Sequence, residues 1–145
     1  MGQKVNPIAL RLGIHHDFKS IGYYSKKNYA TTVLQDIKIR EMLFERLKMA
    51  SIGDTQILRT PSGIKIVIYV VRPGIVIGRG GQGLEELKRS IVRLMQSTSK
   101  EAVIPRIELK VEPIKDSNLN AHLVATNIAD QLIRRMPYKR VIKQA

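Results

Sequence analysis

Cysteine and tryptophan are absent from this 145-residue chain, acids number only 12, and aromatic residues make up 5%. Without cysteine there are no disulfides, no thiolate zinc sites and no thiol chemistry, which suits a reducing cytosol. The few aromatics, two Phe and five Tyr, never alternate along a candidate strand. A sheet that stacks bases, as in RNA-recognition motifs or oligonucleotide-binding barrels, is therefore not expected, although Tyr23, Tyr24, Tyr29 or Tyr138 could each stack on a base or serve packing. Acids such as Asp36, Glu41 and Glu45 read as spaced on helix surfaces, and Glu85 and Glu86, as helix neighbours, point apart. Nothing here gathers carboxylates around a catalytic cation, so a nuclease or lyase, or any enzyme, is not expected. The histidines are His15, His16 and His122, and the adjacent pair has only Asp17 nearby, so neither metal nor cofactor is expected. No apolar run approaches the roughly 18 residues of a membrane span. The stretch Ile64 to Val71 is interrupted by Lys65 and bounded by Arg72 and Pro73, and the start Met1 to Asn6 lacks the Ser or Thr of a myristoylation signal. A soluble, cytoplasmic chain with no membrane partner is the expectation.

What is abundant is positive charge. Lys and Arg number 25, for a net charge of +13. Such an excess stores self-repulsion that a polyanion relieves, nucleic acid first, an acidic membrane surface or protein second. With 43% hydrophobic residues the chain can build one compact core with short extensions.

Residues 1–27 lack sustained periodicity, carry Gly2, Pro7, Gly13 and Gly22, and are basic through Lys4, Arg11, Lys19, Lys26 and Lys27. They read as an extended basic arm that orders on a phosphate surface. From Asn28 to Ala50, Val33, Ile37, Leu43, Phe44 and Leu47 share one stripe at roughly 100° per residue, which predicts an amphipathic helix. Thr55 to Thr60 and Ile64 to Val71 read as a hairpin turned by Pro61-Ser62-Gly63. A short apolar turn, Ile75-Val76-Ile77, precedes Gly78-Arg79-Gly80-Gly81-Gln82-Gly83, after which a helix runs to about Gln96 with Leu84, Leu87, Ile91, Leu94 and Met95 inward. Ile107, Leu109 and Val111 alternate with charged residues as one more strand. Ser117 is placed to cap a last helix, with Ala121, Val124, Ala125, Ile128, Ala129, Leu132 and Met136 on its buried face and its end at Pro137. The expected fold class is α+β, a three-stranded sheet with helices on one face.

Gly78 to Gly83 spells G-x-G-x-x-G, but a dinucleotide fingerprint follows directly on a core strand within a βαβ unit. Here Pro73 and Gly74 intervene, and no Gly-Lys-Ser/Thr completes a Walker A loop. The better reading takes Gly78, Arg79, Gly80 and Gly81 as the G-x-x-G loop of a KH domain between two helices. Glycines let a sugar-phosphate backbone approach, amides at the next helix N-terminus favour phosphate, and Arg79 adds charge. At the other end, Arg134, Arg135, Lys139, Arg140 and Lys143 form a basic tail without an acid. It reads either as a helix end favoured by its dipole or, with the basic arm, as a phosphate-binding segment.

The runs Met1-Gly2-Gln3-Lys4-Val5-Asn6-Pro7, Arg11-Leu12-Gly13, Arg72-Pro73-Gly74-Ile75-Val76-Ile77-Gly78, Leu123-Val124-Ala125 and Gln131-Leu132-Ile133-Arg134-Arg135 closely resemble the bacterial small-subunit ribosomal protein S-three family. The resemblance implies a type II KH fold, order αββααβ, and a structural constituent of the small ribosomal subunit. It further implies binding to small-subunit ribosomal RNA in the head, beside the channel by which messenger RNA enters, with neighbouring head proteins as partners. Basic residues after the last helix, matching Lys139, Arg140 and Lys143, are credited in the family with helping to unwind messenger RNA. Lys139 stands where the family pattern has arginine, which keeps the charge and loses the fork. The family continues into a second α/β domain, whereas this chain stops at Ala145. The expected division is an arm over 1–27, a KH unit over 28–115, and a C-terminal helix with basic tail over 116–145. A free-standing KH RNA chaperone or ribosome assembly factor is the alternative, and the basic arm speaks against it.

Overall fold

The computed structural model describes residues 2–98 and 105–144. Its central frame follows from the period-two patterns. Strand β2 (Ile52–Thr60) turns through Pro61 and Ser62 into β3 (Gly63–Val70), antiparallel with Ile57 opposite Ile66. Strand β4 (Arg106–Pro113) lies parallel to β3 with Ile66 opposite Leu109. A parallel neighbour needs a crossover. Helices α3 (Pro73–Ile77) and α4 (Gln82–Thr98) supply it and pack on one face of the sheet with α2 (Tyr29–Arg46). Ile39 and Leu43 of α2, Val76 of α3, Leu87, Ile91 and Met95 of α4 meet Ile57, Ile64, Ile66, Ile68 and Val70 there. Burying each such large aliphatic side chain stabilises the fold by about 1.5–3 kcal/mol. The order α2-β2-β3-α3-α4-β4 is the αββααβ expected.

The opposite sheet face is mostly polar, with Val67 and Leu58 among its charged and polar neighbours. Lys65 pairs in register with Glu108, Tyr69 with Glu112, and Lys110 binds Glu112 at 2.7 Å. Burial, then the Glu112 charge, raises the pKa of the Tyr69 hydroxyl, with Lys110 opposing.

Several expectations need correction. Among the described residues the sheet has four strands, because Ser20–Ile21 of the arm forms β1, parallel to β2 with Ser20 opposite Ile57. Ile57 N donates to Lys19 O at 2.9 Å, and Arg40 Nη2 donates to Lys19 O at 2.7 Å and to Ser20 Oγ at 2.5 Å. A two-residue strand held by one side chain leaves no periodic trace. The arm also contains α1 (Pro7–Leu10), capped by the Asn6 side chain, which accepts from Ile8 N at 2.9 Å.

The buried face of α2 is rotated from the apolar stripe. Thr32, Gln35 and Asp36 are buried with Ile39 and Leu43, while Ile37 is exposed. Asp36, expected on the surface, accepts from Arg59 Nε at 2.9 Å and Nη2 at 2.6 Å. That cross-element pair turns a polar edge of the helix inward.

Asn120, not Ser117, caps α5 (Ala121–Ile133), its Oδ1 accepting from His122 N at 3.0 Å, while Ser117–Leu119 form a 3₁₀ turn. Leu123 is the buried residue of α5, and Ala121, Ala125, Ala129 and Leu132 of the expected face are exposed. The helix ends before Pro137, whose carbonyl accepts from Arg140 N and Val141 N to open α6 (Tyr138–Gln144). His122 stacks edge-on against Phe44 at 5.8 Å between ring centres, tying α5 to α2.

Candidate nucleic-acid interface

The glycine cluster divides into two pairs with different jobs. Gly83 sits where α4 crosses α3: a Cβ there would lie 2.5 Å from Val76 O and 3.1 Å from Ile77 O, and one on Gly78 would meet Gly83 N at 3.0 Å. These two glycines serve the contact between the helices. Gly80 and Gly81 have φ of +62° and +80° and open space ahead of them. Their left-handed backbone already favours glycine in a turn, and it leaves a bare, approachable main chain facing outward. Gly78, Arg79 and Gly80 are exposed and Gly81 half-buried. Just before the loop, Ile75 and Ile77 are 50% and 39% exposed while Val76 between them is buried. The sequence marked these isoleucines as an apolar turn. It did not mark them as an exposed apolar edge beside the loop.

A prediction follows for Gly83→Ala. Alanine favours a helix interior over glycine by up to about 1 kcal/mol. The new methyl must displace backbone oxygens, which costs about 1–3 kcal/mol. Displacement dominates, so the variant should unfold at lower temperature than wild type; a raised Tm would refute the packing role.

The basic arm residues Lys4, Arg11, Lys26 and Lys27 are all exposed. Lys26 and Lys27 lie in the turn closed by Asn28 N and Tyr29 N on Ser25 O, directly before α2. At the other end, α5 stops in a Schellman arrangement: Met136 N donates to Gln131 O at 3.2 Å, and Arg135 N to Leu132 O at 2.9 Å. Arg135 occupies the left-handed position of that motif, φ +60°. On α6, Val141 is fully buried, and Lys139, Arg140 and Lys143 are exposed. At roughly 100° per residue the three cations cover one side of the helix, away from the anchoring valine.

Ion pairs among the described residues engage Lys19, Arg59, Arg89 and Lys110. Arg79, the arm residues Lys4, Arg11, Lys26 and Lys27, and the tail residues Arg134, Arg135, Lys139, Arg140 and Lys143 are in none of them, so their charge is available to a partner. Arg134 and Arg72 line the same polar cleft, and no hydrogen bond or ion pair among the described residues joins arm, loop and tail. Among the described residues, no helix is long and apolar enough to cross a membrane.

Comparison with known proteins agrees with this geometry. The KH domain family matches residues 38–119, which run from α2 through the loop and β4. The small ribosomal subunit protein uS3 of Hahella chejuensis is 42% identical over 145 residues, covering 100% of this chain and 60% of the relative. That of Vesicomyosocius okutanii is 44% identical over 144 residues, covering 99% and 59%. That of Shouchella clausii is 43% identical over 145 residues, covering 100% and 62%. The chain thus spans about 60% of the length of the curated relatives it matches. With its αββααβ core and its glycine loop between two helices, the chain belongs to the KH domain family, as a type II member similar throughout to the N-terminal portion of bacterial uS3 proteins.

Proposed function

We propose that this chain is an RNA-binding structural constituent of the small ribosomal subunit, without catalytic activity, acting on the cytoplasmic ribosome. Its ligand is small-subunit ribosomal RNA in the head, its neighbours are head proteins, and its basic tail borders the channel by which messenger RNA enters. The observation that carries the reading is the loop: open backbone at Gly80 and Gly81, an Arg79 in no ion pair among the described residues, and exposed Ile75 and Ile77 alongside. A phosphate can approach the bare main chain and the first-turn amides of α4, while bases rest on the isoleucines. The names of the relatives, small ribosomal subunit protein uS3, support the ribosomal setting. The net charge of +13 supports affinity drawn mainly from phosphates.

The test is binding to a small-subunit ribosomal RNA fragment by wild type and by Arg79→Asp/Gly80→Asp, across a salt series. Wild type should show a log–log salt slope of roughly −0.7 to −0.9 per phosphate neutralised. The double variant places two carboxylates where a phosphate is proposed and should bind far more weakly, with its circular dichroism unchanged. Equal binding by a folded variant would reduce the loop to scaffold.

A further inference from the structure

A cavity, distinct from the glycine loop, opens between the end of α2, the start of α3 and the C-terminal helices, with a volume of about 400 Å³. Lys48, Arg72 and Arg134 line it, with Asp130 as its acid and Asn127 and Gln131 among its polar groups. The three cations come from three separate places in the chain. Lys48 stands on the 3₁₀ turn Lys48–Ala50, Arg72 at the N-cap of α3, and Arg134 at the C-cap of α5. None of the four charged groups takes part in an ion pair among the described residues. Three cations against one carboxylate leave the cleft with a surplus of two positive charges.

The site is held by backbone. Arg72 N donates to Ala50 O and Val71 N to Ser51 O, both at 3.2 Å, so the Lys48 turn is fastened to the strand end that presents Arg72. On the other wall, Gln131 Nε2 donates to Asn127 Oδ1 at 3.2 Å, which leaves the Asn127 amino group as a donor. The Schellman bonds occupy the carbonyls of Gln131 and Leu132, muting the negative end of α5 beside Arg134.

We propose that this cleft binds a nucleotide unit through its phosphate, independently of the glycine loop. Two guanidinium forks and an ammonium suit phosphate oxygens, amide donors suit a sugar or base edge, and the volume lies within the range of small-ligand sites. The same phosphate chemistry could be presented by an RNA strand or by a free nucleotide. The inference rests on the RNA-binding reading only for the nucleotide nature of the ligand.

The test follows the side-chain amide resonances of Asn127 and Gln131 by NMR in the 145-residue chain during addition of an RNA decamer, of AMP, or of hexaglutamate. Wild type, the loop variant Arg79→Asp/Gly80→Asp and the cleft variant Lys48→Glu/Arg72→Glu are compared. If the proposal is right, the decamer or AMP moves these resonances in wild type and in the loop variant, and the cleft variant needs at least tenfold more ligand. A response to AMP identifies a free-nucleotide site, and a response to the decamer alone identifies a strand site. Resonances that stay still with both nucleotides, that respond equally in the cleft variant, or that move only with hexaglutamate overturn the proposal. Should the charge reversals unfold the chain, Lys48→Gln/Arg72→Gln takes their place with the same readout. Loss of decamer binding elsewhere in the loop variant reports on the KH reading alone, so the two failures are separable.

Discussion

Arg59→Ala should lower the free energy of unfolding by about 3–5 kcal/mol. Nε and Nη2 of Arg59 both donate to Asp36 Oδ1, and the two side chains are only 11% and 6% exposed. Truncating the arginine strands a buried carboxylate among α2, β2 and the arm without its charged partner. The pair itself need contribute little net stability, because its desolvation offsets most of its attraction. Asp36→Leu/Arg59→Met should therefore unfold within about 1 kcal/mol of wild type or later. Urea unfolding followed by circular dichroism distinguishes the cases, and a loss below 1 kcal/mol in Arg59→Ala would contradict the buried-pair account. The damage should spread to the arm. Gly22 lies against the Tyr24 ring and near Arg59 Cβ, and burial, then the Asp36 charge, raises the pKa of the Tyr24 hydroxyl while Arg59 lowers it.

Reversing the tail, Lys139→Glu/Arg140→Glu/Lys143→Glu, should cost little stability and much binding. The three side chains are exposed, and Val141, which anchors α6, is untouched. If each cation neutralises one phosphate of a single strand, the salt slope should fall by about 2 and the affinity at 0.1 M salt by about a hundredfold. Fluorescence anisotropy with an unstructured RNA oligonucleotide, repeated across salt concentrations, gives both quantities. An unchanged slope would remove α6 from the RNA-binding surface.

The elements legible in the sequence are those whose chemistry is local. The alternation at Ile107, Leu109 and Val111 yields β4, Pro61-Ser62-Gly63 yields the hairpin turn, and the glycines yield the loop between two helices. What escaped depends on partners distant in the chain. The inward rotation of α2 is set by Arg59, which lies 23 residues from Asp36. Strand β1 exists because Arg40 and the edge of β2 hold Lys19 to Ile21. Pro137, read as the end of a helix, instead precedes a new one, because the left-handed turn at Arg135 has already ended α5. The site followed the same rule. The loop was readable from adjacent residues, whereas Lys48, Arg72 and Arg134 have no common motif and meet only in the folded chain.

The left-handed backbone at Arg135 separates what folding asks of that position from what a surface asks. An L-residue with a long side chain is disfavoured there relative to glycine by roughly 1 kcal/mol. A chain optimised for folding alone would drift to glycine at 135 and keep the same helix ending, since the Schellman hydrogen bonds use only the backbone. Arginine at that position accepts a strain that glycine would avoid, and it places an exposed cation at the joint between two helices, where the direction of the following basic segment is set.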